Sequence, residues 1–290
     1  MDISEEIRRK ILAFQKNEIT EYHLYRRLAR FVKSPENRRV LEDIADDEHR
    51  HYGQWREYTG QDVAPDRLSI WKYLLISRVF GYTFAVKLME RGEEAAQENY
   101  EQLLDIIPEA EAIMQEENEH ENALLAVLDE ERLRYTGSMV LGLNDALVEL
   151  TGALAGLTLA LQDTRLIALT GSITGIAAAL SMAASEYLST KAEDTDKHPV
   201  RASVYTGVAY IVTVLVLILP YLVLSNYYLC LACTLAAAIL IIALFNYYIS
   251  VARDEPFKKP FLEMAGLSLG VAAFSFLVGY LLRTFFGIDV

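Results

Sequence analysis

Residues 204–224 read VYTGVAYIVTVLVLILPYLVL, and no charged side chain interrupts them. About 20 apolar residues are enough for a helix to span the hydrocarbon core of a bilayer. A second uncharged and mainly apolar stretch, residues 229–251, follows almost directly. These two stretches predict membrane-spanning helices, so at least this part of the chain folds in lipid.

Charge divides the chain into two parts. Residues 1–136 hold 29 of the 40 Asp and Glu residues and 19 of the 27 Lys and Arg residues. The first part is therefore suited to water and the rest to lipid, and we expect two domains, 1–135 and 136–290. The net charge of −13 argues against nucleic acid as a partner, because binding to phosphates needs clustered Lys and Arg.

Three further apolar segments complete a set of five predicted spans. The five are Met139–Leu161, Leu166–Lys191, Val204–Leu224, Leu229–Val251 and Phe261–Phe286. Lys and Arg concentrate in the short loops on the cytoplasmic side of membrane proteins. Eight basic residues would share the side of the acidic domain, and only Arg165 and Arg283 would lie on the other side.

The start of the chain agrees with this topology. It reads MDISEE, without the basic start and apolar core of a signal peptide. We therefore expect an integral protein of a prokaryotic plasma membrane, with its N-terminal domain in the cytoplasm and its C-terminus outside.

The acidic part has the pattern of four helices. Residues Ile3–Lys33 have a helical period, and a second helix ends near Gly60, where glycine can terminate it. The polar link Gln61–Ser69 is long enough to cross over to a third helix that begins near Ile70, and Pro108 separates the third helix from the fourth. Two helical hairpins joined by a crossover predict an all-α fold, a ferritin-like four-helix bundle followed by a five-helix transmembrane domain.

Two Glu-x-x-His motifs lie in the predicted second and fourth helices, Glu48 with His51 and Glu117 with His120. Residues three apart share one helix face, so each pair can reach one metal site. In di-iron bundles two helices supply such motifs and the other two supply a Glu each. Carboxylate and imidazole ligands suit Fe(II) and Mn(II), whereas thiolates would favour zinc or copper. A solvated acidic helix face is the alternative interpretation.

Position indicates the partner glutamates on the other two helices. Measured from the turn of the first hairpin, Glu18 comes level with Glu48. In the second hairpin Glu94 comes level with Glu117 in the same way. One turn from these partners lie three alternative ligands or hydrogen-bonding neighbours, Glu21, Glu90 and Glu98.

With these motifs, residues 1–131 resemble the ferritin-like, rubrerythrin-type di-iron domains. The resemblance implies a di-iron cofactor, with manganese as an alternative metal, and ferroxidase activity. The chain lacks the paired Cys-x-x-Cys motifs of the rubrerythrin electron-delivery centre, which argues against peroxide reduction.

Ionisable groups in the predicted spans indicate a second function. Such groups are costly within a membrane and are usually functional. The first span holds Asp145 and Glu149 one turn apart, and the second holds Met182 and Glu186 one turn apart. These side chains suit a path for a divalent metal ion, with protons taken up by the same carboxylates. A polar pair that only fastens helix to helix is the alternative.

Residues 142–148, GLNDALV, and 181–189, SMAASEYLS, resemble motifs of the vacuolar iron transporter family. With the five spans, this resemblance covers residues 137–290. It implies a homodimer with Asp145 and Met182 on a central metal path, and export of ferrous ion from the cytosol against protons. The whole chain resembles the fused class called membrane-bound ferritin. The link Lys191–Ala202 is shorter than the metal-binding extension of plant members, so metal capture is expected of the N-terminal domain.

Three functions stay open at this point: a proton-coupled Fe(II) exporter, a manganese transporter, and a membrane-anchored ferroxidase or peroxide scavenger. The intramembrane acids favour transport, because an anchor does not need them. The fourth helix is expected to run nearly unbroken into the first span, which would transmit the metal state of the cytosolic domain to the membrane.

Overall fold

The computed structural model describes residues 4–97, 107, 109–127, 134–193 and 197–286. These residues form helices and short connections without a strand, which confirms the predicted all-α class for the described ranges. The chain divides into two compact units, Met1–Glu130 and Glu131–Val290. Residues 128–133 lie outside the described residues, and the predicted continuity between the fourth helix and the first span lies there.

The first unit contains five described helices: α1 Glu5–Ala29, α2 Pro35–Thr59, α3 Arg67–Phe80, α4 Tyr82–Gln97 and α5 Glu109–Val127. The side chains of Ser4, Ser34 and Asp66 cap the first three helices by accepting backbone N–H groups. Gly60, with a φ of 68°, ends α2 as predicted.

Helices α1 and α2 form an antiparallel hairpin. Arg26 pairs with Asp46, whereas Gln15, earlier in α1, accepts a hydrogen bond from Thr59, later in α2. Between these contacts Trp55 is fully buried. The hairpin therefore brings the middle of α1 against the second half of α2, where the predicted ligands lie.

The predicted third helix is divided in two at Gly81. Its φ is 99°, and its N–H donates to the Ser77 carbonyl as α3 ends. Because glycine adopts positive φ at little cost, the chain changes direction here and restarts as α4. The expectation of one uninterrupted helix from Ile70 to Pro108 is therefore wrong.

The second unit contains α6 Thr136–Leu161, α7 Thr164–Ala192, α8 Pro199–Val223, α9 Tyr227–Arg253 and α10 Lys258–Phe286. All five helices are long and apolar enough to cross a membrane, which confirms the predicted set of five spans and supports an integral membrane protein. Helix α6 packs against α7, α8 and α10.

Glycines allow α6 to approach its neighbours closely. A Cβ on Gly142 would lie 2.4 Å from the Thr206 carbonyl oxygen of α8, and one on Gly279 of α10 would lie 2.2 Å from the Gly156 carbonyl oxygen. A residue with a Cβ would clash at either position, so glycine is what permits the close approach of these helices. These close contacts are made within one chain.

Candidate metal centre

Four predicted ligands come together inside the first unit. Glu18 lies on α1, Glu48 and His51 lie on α2, and Glu117 lies on α5, and one ligand atom from each lies within 4.8 Å of the others. Glu18, Glu48 and His51 are buried, with exposed fractions of 4, 1 and 0%. Buried charges need pairing or a metal ion, so this group differs from a solvated acidic face.

His51 faces carboxylates on both other helices. Its Nδ1 lies 3.0 Å from Glu117 Oε1, 3.6 Å from Glu18 Oε2 and 4.0 Å from Glu48 Oε2. Although Glu117 is this close, Nδ1 makes no hydrogen bond to a described residue. In an octahedral metal site with bonds of about 2.1 Å, neighbouring ligand atoms lie about 3.0 Å apart. The separation of His51 Nδ1 and Glu117 Oε1 equals this distance.

His120 borders the same group from α5. Its Nδ1 lies 3.5 Å from Glu48 Oε1 and 3.8 Å from Glu117 Oε2. Its ring is stacked with the ring of His51, and the two ring centroids lie 6.0 Å apart. The two Glu-x-x-His motifs therefore face each other.

Unpartnered atoms indicate that the group fits a cation. Glu48 Oε2, His51 Nδ1 and His120 Nδ1 are buried, and no described residue hydrogen-bonds to them. Buried polar atoms are nearly always satisfied, and leaving one unsatisfied costs about 1–3 kcal/mol. Two imidazole nitrogens and a carboxylate oxygen with lone pairs in one small space are suitable donors for Fe(II) or Mn(II).

Acidic residues that sequence reasoning missed hold the outer nitrogens of both histidines. His51 Nε2 lies 2.6 Å from Glu116 Oε2, and His120 Nε2 lies 2.9 Å from Asp47 Oδ2. Each acid immediately precedes the glutamate of the opposite motif. A metal-ligating histidine commonly gives its second nitrogen to a carboxylate, which fixes the ring and its tautomer. An acid before Glu-x-x-His, present in both motifs, was the available sequence signal.

Two further contacts position the carboxylates. Trp55 Nε1 donates a hydrogen bond of 3.0 Å to Glu18 Oε1, inside the core of the hairpin. Arg50 pairs with Asp47 and, at 2.6 Å, with Glu116 Oε2. Arg50 therefore joins the two outer acids of the site.

The electrostatics of the group show why it needs positive charge. Burial raises the pKa of Glu48 well above its ordinary value, and the Glu117 and Glu18 carboxylates raise it further. Burial lowers the pKa of His51, but Glu117 and Glu18 outweigh burial and raise it to about 10. Burial acts to raise the pKa of Glu117, yet His120 and His51 lower it to about 2. Protonated imidazoles supply the positive charge that a bound metal would supply instead.

Among the described residues, Glu21 is a further candidate that lies outside the four-residue group. Glu21 is buried, with an exposed fraction of 6%, one turn after Glu18. Glu98 lies outside the described residues, and so do the side chains of Glu90 and Glu94. The choice among the third-helix glutamates therefore stays a prediction.

In the second unit, the predicted path residues lie on α6 (Asp145 and Glu149) and on α7 (Met182 and Glu186), and Glu186 joins the two helices. Ser138 Oγ donates a hydrogen bond of 2.5 Å to Glu186 Oε1, which sets these antiparallel helices in register. This register places Asp145 about 10 Å further along α6, at 1.5 Å per residue. Met182 is partly buried and packs against the core of this unit.

Glu149 and Asp145, the two acids of α6, are more accessible than the buried Glu186 of α7. Glu149 Oε2 accepts a hydrogen bond of 3.1 Å from the Tyr210 hydroxyl of α8, yet Glu149 as a whole remains exposed. Asp145 is half-buried. Sequence reasoning found Glu149 and Glu186 but missed their hydroxyl partners, Tyr210 and Ser138, because each partner lies on a different helix from the acid it contacts.

The five apolar helices of the second unit support an integral membrane protein. The first unit carries a group of ligands suited to a metal ion. Residues 136–198 match the VIT family, and this match, together with the five apolar helices, supports a VIT-family membrane domain. None of the curated proteins and none of the solved structures matches the chain. The family match suggests membrane transport of a metal, iron or manganese.

Proposed function

We propose that this protein exports Fe(II), or Mn(II), from the cytosol in exchange for protons. The observation that carries the proposal is a VIT-family domain whose first span holds Asp145 and Glu149, both accessible, within a helix otherwise suited to lipid. Carboxylates in such a position are costly unless they line a path or a protein contact. They bind a divalent cation when ionised and a proton when neutral, which is the chemistry that exchange requires.

The proposed path follows α6 and α7. Asp145 and Glu149 provide carboxylate oxygens, and Met182 provides a thioether one turn from Glu186. Glu186 accepts a hydrogen bond from Ser138 and therefore lies beside the N-terminal part of α6, which begins at Thr136. A cation would meet hard carboxylate oxygens and a soft thioether along these helices, a mixed set that suits a divalent metal ion of intermediate softness.

A homodimer is part of this proposal. Glu149 is exposed on the surface of a single protomer, although it lies in a helix that spans the membrane. If a second copy packed against the surface that exposes Glu149, the Glu149 carboxylates of both protomers would be removed from lipid. They would then lie around a shared path. The homodimer implied by the family resemblance is thus supported by the exposure of this one side chain.

The first unit is proposed to bind the metal before transport. Glu18, Glu48, His51, Glu117 and His120 would hold it, with a third-helix glutamate completing a di-iron centre. Bound iron would supply redox chemistry for a ferroxidase reaction. Trp55, Asp47 and Glu116 hold these ligands in place, and the burial of Glu18, Glu48 and His51 keeps water away from them. Ferric ion is a poor transport substrate, so capture or sensing of Fe(II) is proposed as the main role.

The second candidate function is a membrane-anchored ferroxidase. The observation that favours it is the burial of the Glu18, Glu48 and His51 group, which is closer to a redox centre than to an open binding surface. Transport assays separate the two functions, since an anchored enzyme moves no metal.

The test uses the purified full chain in sealed vesicles that contain a metal-quenched dye. We expect Fe(II)- or Mn(II)-dependent quenching in the wild type and its loss in Asp145→Asn. Glu255→Gln, which neutralises an exposed acid outside the helices, is the matched control and should transport normally. His51→Ala with His120→Ala should slow transport without abolishing it. Normal transport by Asp145→Asn would exclude the proposed path.

A further inference from the structure

Helix α3 turns an apolar face to solvent. Leu68, Trp71 and Leu75 have exposed fractions of 75, 62 and 47%, and their spacing of three and four residues places them on one face. On the opposite face Ile70 is 2% exposed and packs into the unit. A water-soluble domain usually shows the reverse pattern, with its apolar face inward. This outward face is therefore suited to a contact outside the unit.

The charge of α3 is opposite to that of its surroundings. The helix contains Arg67, Lys72 and Arg78 and no acidic residue, although the first 136 residues carry 29 acidic side chains. Asp66, which caps the start of α3, is paired with Lys16 at 3.3 Å. The exposed apolar face is thus flanked by cations, and it needs a partner that is apolar in its centre and negative at its edges.

We propose that α3 is an interfacial helix that binds the anionic surface of the lipid bilayer. Amphipathic helices with basic flanks and a Trp lie in the plane of the interface, with the apolar face among the acyl chains. Tryptophan favours the headgroup level, and Lys and Arg near an anionic surface are attracted to it. Trp71 and Leu75 would enter the lipid, and Lys72 and Arg78 would contact the headgroups.

Charge favours lipid over a second copy of this chain as the occupant. Two copies that met through α3 would bring two sets of three cations together, and like charges at close range are unfavourable. An anionic surface satisfies those cations and the apolar face at once. Because α3 and the five candidate spans belong to one chain, the covalent link raises the effective concentration of α3 at a bilayer.

The chain carries its own reporter for this contact. It contains two tryptophans, Trp55 and Trp71, both in the first unit, and Trp55 is fully buried. The experiment reconstitutes the full chain into vesicles of phosphatidylcholine with phosphatidylglycerol, some of which carry bromine on the acyl chains. We expect brominated lipid to reduce the Trp71 fluorescence about twofold or more, because interfacial Trp lies within reach of the acyl carbons. Trp71→Phe, which retains only Trp55, should show almost no quenching.

Charge variants separate the proposal from a general effect of net charge. Lys72→Glu with Arg78→Glu should reduce the quenching severalfold, and Arg9→Glu with Arg39→Glu, exposed on α1 and α2, should leave it unchanged. Equal quenching in the wild type and in Trp71→Phe would overturn the proposal. So would a Trp71 that is shielded from aqueous acrylamide yet not quenched by brominated lipid, since protein would then cover the face. Loss of quenching in the Arg9 and Arg39 variant would overturn the specific role of α3.

Discussion

Replacing Glu48 by Gln tests the metal centre through two effects of opposite sign. In the metal-free protein, the buried Oε2 of Glu48 has no hydrogen-bond partner among the described residues and faces other carboxylates. A glutamine amide removes the acidic group and offers two N–H donors to Glu18 and Glu117. We therefore expect Glu48→Gln to stabilise the metal-free first unit by about 1–3 kcal/mol, the cost of one unsatisfied buried group.

Metal binding should change in the other direction. A ligand that binds only the folded state at about 100 times its Kd stabilises that state by about 2.7 kcal/mol. If Glu48→Gln weakens binding about 100-fold, the same metal concentration equals the new Kd, and the stabilisation falls to about 0.4 kcal/mol. The variant should therefore be more stable than the wild type without metal, and it should lose most of the metal-induced increase in Tm.

Tryptophan fluorescence follows the thermal unfolding of the first unit, because both tryptophans lie there. The wild type and Glu48→Gln would be compared with chelator and with added Fe(II) or Mn(II) under anaerobic conditions. Glu57→Gln, an exposed acid on the same helix, is the control and should behave as the wild type. A metal-free Glu48→Gln protein that is less stable, together with an unchanged metal-induced shift, would refute Glu48 as a ligand.

Three other substitutions test separate features. Trp55→Phe removes the donor to Glu18, so metal affinity should fall roughly tenfold in a competition titration with a chelating dye. Gly60→Ala places a side chain at a φ of 68° and should lower the unfolding free energy of the first unit by about 1 kcal/mol, measured by denaturant titration. Gly279→Ala forces a Cβ against the Gly156 carbonyl and should cost about 1–3 kcal/mol, seen as a lower Tm in detergent.

Each of these substitutions has an internal comparison. Trp71→Phe removes the other tryptophan, and a loss of metal affinity equal to that in Trp55→Phe would contradict the role of the Glu18 hydrogen bond. Gly53→Ala, within α2 and with open space around it, should not destabilise the unit as Gly60→Ala does. Gly270→Ala likewise meets open space on α10, so a Tm as low as that of Gly279→Ala would argue against the close α6–α10 contact.

Periodic features of the sequence predicted the larger part of the fold. The five spans followed from uninterrupted apolar stretches, and the end of helix α2 followed from Gly60. The division at Gly81 was not predicted, because an isolated glycine inside a helical pattern is usually tolerated. Only its backbone conformation, with φ at 99°, distinguishes it from a glycine that continues the helix.

The ligands of the candidate site could be predicted from helix-face spacing and, for Glu18, from its position along the hairpin, but the contacts of the outer histidine nitrogens could not. Glu48 with His51 and Glu117 with His120 followed from their spacing. The contacts of His51 with Glu116 and of His120 with Asp47 depend on how α2 lies against α5, and the sequence does not state that geometry. An acid precedes each Glu-x-x-His motif, and a ligating imidazole usually needs an acceptor for its second nitrogen. Taken together, these two facts would have predicted both contacts.

The separation of the ligands along the chain also bears on the order of synthesis. Glu18, Glu48 and His51 belong to one hairpin of neighbouring helices and can come together early. Glu117 and His120 belong to α5, whose last described residue, Val127, comes shortly before the first span begins at Thr136. Contacts between distant parts of a chain form late in folding. The nascent protein therefore cannot complete the candidate site until the first apolar span is about to be made, so we expect any metal to be loaded close in time to membrane insertion.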